Sequence, residues 1–267
     1  MRSSAKRSSP SSTNRPAATL ARQIDMQLRA RRNPTRAAGE KAYLKSEFGF
    51  LGVDLPTMRR IVHGIKGAYP QLDRALLLAL VNGLWSVPVF ERRMTALLLL
   101  EAFHSLLTAA DIKLVERLIR QSRTWALVDD LAIAVAGPLV ERHPQLVGVL
   151  DRWAGDDDFW IRRSAMLALL RPLRQGAGDF ARFSRYVDAM LEEREFFIRK
   201  AIGWILRETG HKRPDLVYRW LLPRCGRASG VTVREAVRWL SPEQREACVA
   251  AYRSATGRTV TSFREPR

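Results

Sequence analysis

From residue 18 onward, hydrophobic side chains recur every three or four positions, which is the repeat of an amphipathic helix. The strict alternation of apolar and polar residues that is typical of a β-strand is missing. Prolines and glycines separate the helical segments. The pattern predicts helices at 18–32, 36–46, 55–66, 70–83, 88–106, 109–121, 125–141, 144–154, 158–171, 179–192, 195–208, 213–222, 231–238 and 242–254.

The predicted helices form pairs that recur roughly every 35–45 residues, the range of HEAT-type repeats. Four tryptophans, at positions 85, 125, 160 and 204, follow the same spacing. Stacked helix pairs form a solenoid whose concave face can serve as an extended binding groove. We therefore predict an all-α fold, a right-handed α-solenoid of HEAT-like antiparallel helix pairs with a concave basic groove.

The two ends of the chain differ from this pattern. Residues 1–17 are rich in serine, proline and arginine without periodicity, and we predict a flexible basic arm there. A transit peptide is an alternative, although the segment has no convincing amphipathic pattern. Residues 18–255 are predicted to form a single HEAT-like domain, and residues 256–267 a basic tail.

Charge points to the kind of partner. The 267 residues carry 45 lysines and arginines against 27 acidic residues, which gives a formal net charge of +18. Such a balance favours a polyanion as partner, most often nucleic acid. The two cysteines, Cys225 and Cys248, are too few for a disulfide framework and lack metal-ligand spacing. We therefore expect a cytosolic protein that uses no metal or cofactor. No segment is long enough to span a membrane.

The predicted helix at 195–208 places an indole beside two cations. Lys200 and Arg207 flank Trp204 on one face, while the apolar arc comprises Phe197, Ile198, Ala201, Ile202 and Ile205. The indole could stack on a sugar or base while the cations hold phosphates. Alternatively, Trp204 is a core residue edged by solvated charges.

A second pair of candidates lies at 125–129. Trp125 and Asp129 are one helical turn apart, and Ala132 and Ala136 on the same side could leave room for a ligand. A carboxylate there could stabilise a cationic sugar intermediate or orient a water molecule. Asp129 could instead be an acid that merely suits the start of a helix. Further on, Arg162 and Arg163 could reach phosphates or be solvated.

Several segments together resemble the AlkD family of DNA alkylation repair proteins, in order and over roughly residues 40–220. The most specific of them is the Phe-Phe-Ile-Arg-Lys-Ala-Ile-Gly-Trp segment that ends at Trp204. The others are 43–53, Leu84-Trp85 with Glu91, Trp125 with Val128-Asp129, and 160–163. The chain departs from the family pattern at Gly49, where proline is frequent, and at Arg199, where glutamine is common.

The resemblance implies a HEAT-like-repeat DNA glycosylase that hydrolyses the N-glycosidic bond of positively charged N3- or N7-alkylated purines. It would act on duplex DNA without base flipping and leave an abasic site, as a monofunctional enzyme of the 3-methyladenine/7-methylguanine type. We expect a monomer in the bacterial cytosol or nucleoid. The resemblance assigns Asp129 as the catalytic carboxylate, Trp125 and Trp204 as the catalytic-site indoles, and Arg163, or its neighbour Arg162, as a DNA-binding arginine. For DNA binding we further predict Lys200, Arg207, Tyr43 and Lys45.

Two other functions remain open from the sequence. Some relatives of this fold bind DNA structures without excising a base, and retention of the two indoles and the carboxylate argues against this reading. A HEAT array could also be a protein scaffold, but that reading does not explain the net charge.

Overall fold

The computed structural model describes residues 14–260, and these residues form helices joined by short turns. Within this range there is no strand, and a single isolated bridge joins Gly49 and Val89. The predicted all-α class is therefore confirmed. No helix in the described part of the chain has the length and hydrophobicity needed to cross a membrane.

The chain divides into two compact units, the first of which ends at Asp111. The helices of this first unit are α1 (Asn14–Ala30), α2 (Pro34–Leu44), α3 (Leu55–Ala68), α4 (Arg74–Trp85) and α5 (Phe90–Ala102). Helix α1 packs on α4, and α3 packs on α5, with leucines and isoleucines filling the space between them.

One buried carboxylate holds the loop between α2 and α3. Glu91 is completely buried and accepts hydrogen bonds from the backbone N–H groups of residues 51, 52 and 53, at 2.9, 2.5 and 3.3 Å. Burial raises the pKa of Glu91, and these N–H donors oppose the rise. At Gly52 the chain has a φ of 76°, and a Cβ there would lie 2.1 Å from the carbonyl oxygen of Asn33. Glu91 and the 43–53 segment, which both contribute to the resemblance described above, are therefore in direct contact.

The second unit begins at Ile112 and contains the remaining helices. They are α6 (Ile112–Ser122), α7 (Trp125–Asp130), α8 (Gly137–Arg142), α9 (Val147–Ala154), α10 (Phe159–Leu167), α11 (Leu170–Arg174), α12 (Phe180–Met190), α13 (Phe196–Gly210), α14 (Pro214–Leu221), α15 (Gly230–Ala236) and α16 (Pro242–Thr256). The predicted start of the last helix is confirmed, because Ser241 caps it in a capping box and Pro242 is its first residue.

Polar contacts between successive repeats follow the repeat length. Glu116 of α6 accepts hydrogen bonds from Arg152 and from the Trp153 indole of α9, 36 and 37 residues further along, at 2.8 and 2.9 Å. Each such contact, called a rung below, joins a helix to its counterpart in the next repeat. Other rungs connect Asp151 with Tyr186, 35 residues apart, and Asp188 with Arg224, 36 residues apart. The repeat length inferred from the tryptophans thus matches the sequence separation of residues that contact each other between stacked helix pairs.

Several predicted boundaries differ from the observed ones. Helix α1 begins at Asn14 rather than at 18, and the helix predicted at 88–106 ends at Ala102. The helix predicted at 125–141 is interrupted by a wider turn, as described below. Residues 1–13 of the predicted arm and 261–267 of the predicted tail lie outside the described residues.

We predict that Glu116→Gln lowers the free energy of unfolding by about 1 kcal/mol at pH 7, since Arg152 is half-exposed and solvent weakens the pair. Hydrogen bonds from Arg152, Trp153 and Arg120 lower the pKa of Glu116 to about 2. Because this pKa is lower in the folded state, the ionised Glu116 stabilises the protein at pH values above the unfolded pKa near 4.5. The stabilisation is lost as the pH falls towards 2.

Thermal melting of wild type and Glu116→Gln between pH 8 and pH 3 tests this prediction. The difference in melting temperature should be constant above about pH 5 and shrink below it. A difference in melting temperature that is independent of pH would show that the negative charge of Glu116 does not stabilise the fold.

Candidate nucleic-acid interface with a buried ion pair

Helix α7 is only six residues long because irregular backbone bounds it on both sides. Arg123 precedes it with a φ of 47°, a left-handed conformation that is unusual for a residue with a side chain. A π-helical turn, Leu131–Ala136, follows it directly. Wider turns of this kind occur frequently at functional sites. The sequence pattern predicts neither feature, since apolar spacing does not distinguish a π turn within a helix.

Close packing accounts for the position of the π turn. Its residues 131, 132, 135 and 136 are completely buried. The next residue, Gly137, approaches the carbonyl oxygen of Ala168 so closely that a Cβ would lie 2.7 Å from it. Ala132 and Ala136 therefore do not border an open space above Asp129, as their small size suggested, because they are part of the core.

Asp129 and Arg163 form a two-pronged ion pair between α7 and α10. The Arg163 Nε and Nη2 atoms donate to the two carboxylate oxygens, both at 2.7 Å. The side chain of Arg163 is 3% exposed and that of Asp129 is 11% exposed. Planar, parallel hydrogen bonds of this kind fix the orientation of both groups. The carboxylate that the resemblance assigns to catalysis is thus held rigidly, with a small opening to solvent.

Opposing effects act on the acidity of Asp129. Burial raises the pKa of its carboxyl group, and the Arg163 guanidinium counteracts this by favouring the charged form. The two hydrogen bonds leave further lone pairs on the carboxylate, which has about four acceptor positions. The group can therefore accept another hydrogen bond, or face a positive charge, while it remains paired.

Arg163 also reaches α13, where its Nη1 atom donates to the carbonyl oxygen of Phe197. The Phe197 ring packs against Trp160, with ring centres 4.8 Å apart, and against Phe159 at 6.4 Å. Phe196 meets Phe197 edge to face and is 54% exposed. We call these four side chains the aromatic cluster. It borders the ion pair and is partly open to solvent.

Arg162 has a different environment from its neighbour. It forms a two-pronged pair with Glu193, at 3.0 and 2.8 Å, and donates to the carbonyl oxygens of Asp156 and Asp157. The resemblance left open which of the two arginines belongs to the site. In the structure Arg163 contacts Asp129, whereas Arg162 ties the start of α10 to the segment before α13.

The face of α13 that carries Trp204 begins at Phe197. Residues 198, 201, 202 and 205 of the predicted apolar arc are completely buried, but Phe197 is only half-buried and shares a face with Lys200 and Trp204. Trp204 is itself half-buried, so it is not an enclosed core residue. This face of α13 carries, in order, Phe197, Lys200, Trp204 and Arg207. It begins at Phe197, whose carbonyl oxygen accepts the hydrogen bond from Arg163.

The two cations beside Trp204 share an acidic partner that the sequence did not reveal. Glu235 of α15 accepts a hydrogen bond from Lys200 at 3.0 Å and another from Arg207. Arg207 also contacts Glu208 at 3.2 Å. Glu235 is 35 residues from Lys200, so the repeat length was the only signal that could have indicated it.

Tyr43 and Lys45 belong to the first compact unit, at the end of α2. Tyr43 is 73% exposed, and Lys45 follows the helix with a φ of 46°. Both residues are accessible from solvent within that unit. Their assignment to DNA binding remains a prediction.

Comparisons with known proteins agree with this architecture. A family model described as DNA alkylation repair enzyme matches residues 24–240, so the chain belongs to this family. No match was found among curated proteins.

Two solved structures share the fold at low sequence identity. One, described as a predicted DNA alkylation repair enzyme from Enterococcus faecalis, is 22% identical with a TM-score of 0.72 and covers 79% of this chain and 98% of its own. The other is AlkD2 from Streptococcus mutans, 16% identical with a TM-score of 0.50, covering 81% and 97%.

Gly203, which precedes Trp204, permits α13 and α15 to touch. A Cβ at this position would lie 2.9 Å from the Cβ of Glu235 and 3.2 Å from the Cα of Thr232. We predict that Gly203→Ala destabilises the protein by about 1–3 kcal/mol, because the helices must separate.

Gly64→Ala in α3 is the matched control, since apart from its own helical turn no atom lies within 4 Å of its added Cβ. There the higher helix propensity of alanine should stabilise the protein by about 0.5–1 kcal/mol. Denaturant unfolding of both variants measures the contrast. Equal effects would show that α13 and α15 are not in close contact.

Proposed function

We propose that this protein is a monofunctional DNA glycosylase that hydrolyses the N-glycosidic bond of positively charged N3- or N7-alkylated purines in duplex DNA. It acts as a monomer in the cytosol without metal or cofactor and leaves an abasic site. The observation that carries the proposal is the Asp129 side chain, which is 11% exposed and fixed by Arg163 beside the partly exposed aromatic cluster.

Hydrolysis of this N-glycosidic bond requires few protein groups beyond the fixed Asp129 carboxylate and the aromatic side chains beside it. A cationic purine is already a good leaving group, so no strong general acid is needed. As the bond to the base breaks, positive charge develops on the sugar, and a preorganised carboxylate stabilises it. Because Asp129 is held before the reaction, little reorganisation accompanies charge development. The same carboxylate can orient the attacking water with an oxygen lone pair that Arg163 does not use.

The aromatic residues have a complementary role. Trp125 is half-buried one turn before Asp129, and Trp204 is half-buried on α13. Indole faces attract cations, so two indoles packed on a deoxyribose would favour the cationic intermediate. We expect Lys200 and Arg207, beside Trp204, to contact phosphates of the DNA backbone. The family membership supports a role in DNA alkylation repair.

We predict that Asp129→Asn reduces the single-turnover rate of base release about 100-fold or more, since a neutral amide cannot stabilise the sugar cation. DNA affinity should change little, because Asp129 contributes no positive charge to phosphate binding. Release of N7-methylguanine from a duplex with one lesion, and anisotropy with labelled DNA, measure the two quantities.

Asp188→Asn provides the control, since it removes a carboxylate from a rung on α12. Thermal melting of both variants verifies folding. Equal losses of rate and affinity in Asp129→Asn would contradict the catalytic assignment. If wild type binds DNA and releases no base from several alkylated substrates, the protein is instead a non-catalytic DNA-structure binder.

The rate of base release should fall with decreasing pH as Asp129 becomes protonated. Because burial raises the pKa of this carboxyl group, the midpoint of the fall should lie above its ordinary value near 3.8. N7-methylguanine loses its N1 proton only near neutral pH and is fully cationic in the acid range, so it contributes nothing to the acid limb of the profile. Single-turnover rates between pH 8 and pH 4, corrected for spontaneous loss of the base, test this, and Asp129→Asn should lack the acid limb.

A further inference from the structure

Glu235 is an unexpected residue for a surface that binds a polyanion. It is 7% exposed, and its two carboxylate oxygens contact different cations of α13, Lys200 and Arg207. These cations lie one turn before and one turn after Trp204. One carboxylate therefore bridges both of the positive groups that flank the indole.

The backbone holds this carboxylate in place. Gly203 lets α13 and α15 approach until a Cβ on it would meet the Cβ of Glu235 at 2.9 Å. One turn before Glu235, the Thr232 hydroxyl donates to the carbonyl oxygen of Arg199 at 3.1 Å. Ser229 caps α15 through the N–H of Thr232. Glu235 thus cannot move away from Lys200 and Arg207 without separation of the two helices.

Charge balance shows what this arrangement does to phosphate binding. Arg207 also contacts Glu208, which in turn pairs with Arg174. The connected groups are three cations and two carboxylates, with a net charge of +1. A phosphate that approaches Lys200 or Arg207 is therefore repelled by Glu235 while it is attracted by the cation. Removal of that one negative charge would double the net positive charge of the group.

We propose that Glu235 limits the affinity of this surface for DNA while it holds Lys200 and Arg207 beside Trp204. This inference rests on the proposed function in one respect, the assignment of those two cations to the phosphate backbone. Its consequence is weaker binding and faster dissociation from undamaged DNA, which makes up nearly all of the DNA that a repair protein encounters.

The test is the affinity of Glu235→Gln for an undamaged labelled duplex, measured by anisotropy over a range of salt concentrations. Glutamine keeps the size of the side chain and removes its charge. We expect binding to tighten about threefold to tenfold at low salt, with a steeper dependence on salt, because the freed cations neutralise phosphate more fully. If the variant melts below the assay temperature, Glu235→Ala, which favours helix, replaces it.

Asp188→Asn is the matched control, since it removes one negative charge from another pair between repeats and should change the affinity less than twofold. Unchanged or weaker binding by a folded Glu235 variant would overturn the proposal, because the carboxylate would then have only a structural role. Equal tightening in the control would also overturn it, by assigning the effect to net charge. The test needs no base release, so a wild type that binds DNA without excising a base would contradict the glycosylase and leave this result standing.

Discussion

The ion pair between Asp129 and Arg163 connects three helices at one point. Asp129 comes from α7 and Arg163 from α10, and Arg163 continues to a backbone carbonyl of α13. Removing either charge would leave the other buried without a partner, which typically costs about 3–5 kcal/mol. Helices α7 and α13, which carry the candidate catalytic residues, are therefore positioned together with α10 by the contact that fixes the Asp129 carboxylate.

This pair belongs to the regular system of contacts between repeats. Its two residues are 34 apart, close to the 35–37 of the rungs on Glu116, Asp151 and Asp188. What distinguishes it is its surroundings. Arg152 is 56% exposed in its rung with Glu116, and Asp188 is 36% exposed in its rung with Arg224, whereas both partners here are nearly enclosed beside the aromatic cluster. At this position, a contact of the kind that joins successive repeats also has surroundings that can stabilise a cation.

Much of the architecture could be predicted from the sequence, because apolar periodicity and the spacing of tryptophans follow directly from helix geometry and repeat length. The buried positions Ile198, Ala201 and Ile202 are examples. The π turn after Asp129 and the left-handed Arg123 could not, since they result from packing against distant segments rather than from local preference. The partners of Arg163, Arg162 and Lys200 could not be predicted either, because each partner lies 31–35 residues away along the chain.

The central claim is that the Asp129–Arg163 pair is the reaction centre and not only a rung. A double-mutant cycle with Asp129→Asn and Arg163→Gln tests it most directly, with base release and the free energy of unfolding measured for all four proteins. We predict that each single substitution abolishes most of the rate and that the double variant is little slower than either, as expected of residues that act as a unit. Single variants that unfold more readily but still release the base at the wild-type rate would contradict it.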